Sequence, residues 1–193
     1  MYILHSNGIL FQKKINLKKI FIFKFLLIQK HSFLNSTNKS EIFSTYRILQ
    51  YKKSLVFSVI SDVDSYSTFI PYCLTSKVTK RNKDGLPQTA DLRIGWKKYD
   101  EIFTSEISYL SYDCIIVANA SNHPLFHKLQ ATWYLKDIKT ANSSEKKTKI
   151  SLILNCKFSN PLHTMISIAA IPTISTLIIN AFETRIKHIA KAS

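Results

Sequence analysis

Few side chains in this 193-residue sequence stand where they could do chemistry. Glu101 interrupts an otherwise apolar alternation, Tyr99-x-Glu101-x-Phe103-x-Ser105-x-Ile107, and a carboxylate on a buried face could serve as a general acid. It has no His or Asp partner evident in the sequence, so a structural or strand-end carboxylate is the reading adopted. His123 and His127 straddle Pro124 in what reads as turn and strand. Their four-residue spacing is therefore not that of a helical metal-binding pair, and no metal is assigned. Cys73, Cys114 and Cys156 form no C-x-x-C pair and leave an odd one over, which argues against a disulfide framework or structural zinc and fits a reducing compartment. Three glycines occur and none forms G-x-G-x-x-G or a phosphate loop, which excludes ordinary nucleotide chemistry. No catalytic cofactor is expected.

The formal charge of +15 resembles a nucleic-acid signature, yet it is unevenly distributed. Residues 1–40 hold seven Lys and no Asp or Glu, and only four of the 27 basic residues are Arg. RNA recognition would need Arg or aromatics on a basic face, so no nucleic-acid partner is expected. The acid-free first forty residues, with an apolar stretch Ile20–Ile28 broken by Lys24, have the profile of a cationic mitochondrial presequence, although Arg is absent. That stretch is too short to span a bilayer. The expected organisation is a targeting extension over 1–40 and one domain over 41–193.

From Glu41 onward, blocks of period two imply strands with one buried face. Leu125, His127, Leu129, Ala131, Trp133 and Leu135 form one such face, with Phe126, Lys128, Gln130, Thr132, Tyr134 and Lys136 opposite. Ala90, Leu92, Ile94 and Trp96 make another, and Ile150, Leu152, Leu154, Cys156 and Phe158 a third. Turns at Asn82–Gly85, Asn122–Pro124 and Lys139–Lys147 suit a meander in which neighbours pair in sequence order. Two short helices are expected after the first strand, with Asp64 or Ser65 capping the turn towards Phe69 and Pro71. The order is then β-αα-β-β-β-β-β-β-α.

Ser159–Phe182 carries no charge, and Glu183, Arg185, Lys187 and Lys191 follow. Asn160, His163, Ser167, Pro172 and Asn180 dilute the apolar run, so a helix buried against the sheet is expected rather than a membrane span. Pro172 should kink or break it near the middle.

On these residues the region from about Phe43 to Ala190 resembles the mitochondrial coenzyme Q-binding family of the START-like (polyketide cyclase/dehydrase) superfamily. The matching stretches are Asp62–Cys73, Gly95–Ser105, Pro124–Leu129 with Trp133, Phe158–Leu162 and Ala181–Arg185. Two departures are Tyr72, where the family often has Trp, and Pro172 within the last helix. The resemblance implies an α+β helix-grip fold, a seven-stranded curved antiparallel sheet wrapped around a long C-terminal helix. It further implies a non-enzymatic carrier of ubiquinone or a late isoprenoid precursor, peripheral on the matrix face of the mitochondrial inner membrane. Quinone-biosynthesis or respiratory-chain proteins would be its partners. A cyclase/dehydratase-type enzyme and a ribosome- or RNA-associated module are the alternatives. Trp96, Phe103, Leu125, Leu129, Trp133, Phe158 and Met165 are the expected walls of the ligand tunnel, and Phe69, Pro71 and Tyr72 its mouth.

Overall fold

Period-two alternation becomes seven strands and the uncharged C-terminal run becomes one long helix. The computed structural model describes residues 40–96, 99–111, 115–138, 146–159 and 161–192. The presequence expected over 1–40 lies outside them except for Ser40, as does most of the Lys139–Lys147 turn. The elements run β1 (Glu41–Leu49), α1 (Lys53–Ser61), a 3-10 turn (Val63–Ser65), α2 (Tyr66–Phe69), β2 (Cys73–Arg81), β3 (Pro87–Trp96), β4 (Tyr99–Ser111), β5 (Ile115–Asn119), β6 (Phe126–Ile138), β7 (Lys147–Phe158) and α3 (Pro161–Ala192).

All pairs are antiparallel, and the sheet order is β1-β7-β6-β5-β4-β3-β2. Strands β2 to β7 follow the meander. β1 does not pair with its sequence neighbour but with β7, from Glu41 opposite Cys156 to Leu49 opposite Thr148. The α1–α2 segment carries the chain from β1 to the far edge, where β2 begins. The β2–β3 hairpin closes at the expected place: Asn82 Oδ1 accepts the amides of Asp84 and Leu86, and Gly85 takes φ +77°. That conformation costs glycine nothing sterically.

Asp64 does not act as the expected cap. Its carboxylate accepts the Val78 amide at 2.6 Å and Arg81 at 2.6 Å, while no side chain caps α2. The carboxylate thereby ties the α1–α2 segment to β2 through charge-assisted bonds. The register fixes a second correction. A bulge between Phe126 and Lys128 in the β6–β7 ladder shifts the alternation at the start of β6. His127 is exposed, whereas the Phe126 ring lies 4.6 Å from that of Phe158. Simple counting puts those two residues the other way round.

α3 runs through Pro172 without the break that a proline in mid-helix allows, continuing to Ala192. Proline there removes one backbone donor, a cost of about 3 kcal/mol in a helix interior. Pro172 faces out, and beyond it Ser175, Ile179, Phe182 and Ile186 are each almost fully buried at i, i+4, i+7 and i+11. That stripe holds the C-terminal half of α3 to the sheet and offsets the lost bond. Arg47 of β1 adds a polar clamp, donating to Asn180 Oδ1 at 2.7 Å and approaching Glu183 at 3.5 Å.

Candidate functional site

The inner face of the sheet and the buried stripe of α3 share one apolar core. Val56, Val59 and Ile60 from α1 meet Trp133, Leu135, Ile150 and Leu152 from the sheet and Ile179, Phe182 and Ile186 from α3. Phe182 is its aromatic hub, with the rings of Trp133, Phe69 and Tyr66 packed edge-on at 4.7, 5.1 and 5.2 Å. Such T-shaped contacts place a positive ring edge on a negative face. The Tyr66 hydroxyl donates to the Ile60 carbonyl, and burial holds its proton on well above the usual phenol range.

A second aromatic group occupies the inner face where β4, β6 and β7 come together. Phe103 lies 5.7 Å from Phe126, which lies 4.6 Å from Phe158, and all three are only half-buried. His123, from the β5–β6 turn, stacks 4.5 Å from Phe103 and 6.0 Å from Phe126. Its Nε2 lies 3.5 Å from Glu101 Oε2. Glu101 thus has a histidine partner 22 residues away, brought to it by the turn between β5 and β6. Among the described residues, no group of three or more His, Cys, Asp or Glu could hold a metal.

At the corner where α2 meets β2, an open cleft of about 450 Å³ is lined by Phe69 and Pro71 on one side and by Leu177, Asn180, Ala181, Thr184, Arg185 and His188 of α3 on the other. The Arg185 guanidinium lies 5.7 Å from the Phe69 ring centroid, within cation–π range. Tyr72, next to the cleft in sequence, is 47% exposed and has φ +69°. A bulky residue rarely adopts that left-handed conformation, and it turns the chain sharply into β2.

The residues expected to line a tunnel therefore divide. Phe103 and Phe158 belong to the half-buried aromatic group, and Phe69 and Pro71 to the cleft. Trp133 is in the core at 5% exposure, with Leu129 packed beside that core. Leu125 sits in the turn ahead of β6 rather than on the strand. Trp96 ends β3 opposite Tyr99 and Met165 lies in α3, but the side chains of both fall outside the described residues. Sequence reasoning missed Phe126, and it set the C-terminal helix beside the Phe69–Tyr72 loop without naming the α3 residues that line the cleft. The spacing of Leu177, Ala181, Thr184 and His188 does carry that signal, since residues three and four apart share a helix face.

Cys73 and Cys156 are buried free thiols. Burial raises both thiols, Cys156 up to about 11. Because the thiolate is the reactive form, both are expected to resist alkylation near pH 7 in the native chain and to label rapidly once urea unfolds it. Peptide mass spectrometry reads the two sites separately, and rapid native labelling at Cys156 would contradict its placement in the core.

No described helix is long and apolar enough to cross a membrane. The sequence profile of polyketide cyclase / dehydrase and lipid transport proteins matches residues 49–183. The chain is 32% identical over 160 residues to the mitochondrial coenzyme Q-binding protein coq10 of Schizosaccharomyces pombe, covering 81% of this chain and 94% of that one. Its fold matches a START superfamily protein from Mycobacterium smegmatis with TM-score 0.65 at 15% identity, over 77% of this chain and 98% of the other. It also matches the Zhui aromatase/cyclase from Streptomyces with TM-score 0.66 at 13% identity, over 77% and 94%. Those identities speak for the fold alone, a helix-grip α+β domain. With the profile spanning most of the domain and the yeast relative matched over nearly its whole length, the chain belongs to the coenzyme Q-binding family within the polyketide cyclase / dehydrase and lipid transport group.

Proposed function

We propose that this protein is a non-enzymatic carrier that binds ubiquinone or a late isoprenoid precursor and delivers it at the matrix face of the mitochondrial inner membrane. It would thereby support respiration and quinone biosynthesis. The observation that carries this reading is the half-buried group Phe103, Phe126 and Phe158 on the concave face, in a chain related to proteins named for coenzyme Q binding. Rings left half-exposed beside a finished core offer apolar area that a lipid can cover, at roughly 25 cal/mol per Å² removed from water. The ligand's isoprenoid tail would lie along these rings.

Lipid exchange would take place at the corner cleft. An isoprenoid tail crossing open water would lose its hydrophobic stabilisation, so the portal must meet the bilayer directly. Phe69, Pro71 and Tyr72 supply an apolar rim there, and Arg185 a cation for anionic headgroups. Replacing Phe69 and Tyr72 together by Ser should slow transfer of quinone between loaded and empty liposomes by about tenfold, the equivalent of about 1.4 kcal/mol. The sheet should remain folded by circular dichroism. Added salt should weaken only the cationic contribution. Undiminished transfer by the folded double variant would place the portal elsewhere.

Residues 1–40 would act as the delivery signal, and 41–193 as the lipid-binding domain. A chain beginning at Glu41 should fold but fail to enter mitochondria in an import assay, and normal import would remove that assignment.

A further inference from the structure

The polar pair Glu101–His123 is left over from the core and from the cleft. Glu101 lies on the inner face of β4, in line with Phe103, Ser105 and Ile107, while Ile102 and Thr104 on the opposite face are exposed. Its cross-strand neighbour on β3 is Ile94. The Glu101 side chain is 42% exposed and that of His123 14%, so the carboxylate stands at the open edge of the aromatic group, where a ligand can reach it. Its histidine partner stands at 3.5 Å, beyond the usual range for a full N–H···O bond.

The orientation of His123 is fixed. Its Nδ1 accepts the Leu125 amide at 3.3 Å, and its ring packs against Phe103 and Phe126. A neutral His123 so held carries its proton on Nε2, the nitrogen aimed at Glu101. The pair therefore sets one N–H donor 3.5 Å from one strong acceptor at the edge of the aromatic group, so that a single oxygen lying beside the line between them can reach both. A hydroxyl oxygen fits both, accepting from Nε2 and donating to the carboxylate. A carbonyl oxygen can only accept and would bring its lone pairs against those of Glu101.

The geometry points to a head-group anchor at Glu101 and His123 for a hydroxylated aromatic ring, giving this site a preference for the quinol over the quinone form of its ligand. This rests on the quinone-carrier reading and deepens it. The ring would lie against Phe103, Phe126 and Phe158 in offset or edge contacts, with its apolar tail running on from them along the inner face of the sheet. Glu101 and His123 are binding residues here, and no chemical step is assigned to them.

The test uses the full chain, a short-chain ubiquinone and its two-electron-reduced quinol, each titrated anaerobically in the same detergent micelles. The unsubstituted chain should bind the quinol about tenfold more tightly, the effect of one charge-assisted hydrogen bond. Glu101→Gln, which keeps the shape, removes the charge and can turn an amide N–H towards a carbonyl, should reduce that ratio to about twofold by weakening quinol binding without weakening quinone binding. His123→Phe, which preserves the ring contacts with Phe103 and Phe126, should weaken both forms. Thermal melts confirm that each variant is folded, and the two act through different groups, so one remains informative if the other is unstable. Equal affinity of the unsubstituted chain for both forms, or an undiminished preference in folded Glu101→Gln, would overturn the anchor while leaving the carrier reading standing. Failure of the unsubstituted chain to bind either form would instead overturn the carrier reading, and the anchor with it.

Discussion

Phe182→Ala should destabilise the fold by about 3–5 kcal/mol, near the upper end of what a single core truncation does. The ring is 1% exposed and touches Trp133, Phe69 and Tyr66, so its removal leaves a cavity bordered by three rigid rings. Rigid neighbours collapse poorly into such a space, and residual cavity volume adds to the lost transfer energy. Urea unfolding followed by circular dichroism measures the effect. Because Phe69 loses its backing, the same variant should also loosen the α2 corner, seen as faster amide exchange there than at β6. A loss below about 1 kcal/mol would mean that the four rings do not form one packed unit.

Trp133→Ala should carry a cost of similar size, about 3–5 kcal/mol, and it separates packing from ligand contact. At 5% exposure its indole contacts Phe182 rather than lying open on the inner face of the sheet. The folded variant should therefore retain most of its bound quinone per molecule. Phe158→Ala, on a half-buried ring, should lose less stability and more ligand. Native mass spectrometry of lipid-extracted and reloaded protein gives occupancy, and denaturant unfolding gives stability. The reverse pattern would move Trp133 from the core to the tunnel wall. Combining Phe182→Ala with Trp133→Ala should be clearly non-additive, since both remove the same 4.7 Å contact.

The strands were legible because a half-buried strand repeats every two residues, and the sequence from Ala90 to Phe158 keeps that period with few breaks. The long-range pairing of β1 with β7 was not, because alternation gives a strand its faces but no partner. The reversal of Phe126 and His127 has the same origin: one extra residue at a bulge moves a side chain to the other face, and composition does not mark it. Asp64 carried a local capping signal, but a backbone amide and a guanidinium from β2 compete for the same oxygens and win. Pro172 reads locally as a helix breaker, and distant packing of Ile179, Phe182 and Ile186 overrides it. The Glu101–His123 proximity could not be read from spacing, since it depends on how the β5–β6 turn folds back over β4.

Among the described strands β1 is the first to be synthesised, and the strand it pairs with, β7, is the last. Glu41 meets Cys156 across 115 residues, so this ladder closes the longest loop within the described sheet. Closing so long a loop is entropically expensive, and the contacts that reward it exist only once β6 and β7 are in place. Local hairpins from β2 to β7 can form ahead of it. Until then Ile42, Tyr46 and Ile48, exposed even in the finished fold, sit on an unpaired strand beside Phe43 and Leu49. A growing chain thus presents β1 ahead of the other described strands and satisfies it last, an interval in which a chaperone holding that strand would protect it from edge-to-edge association.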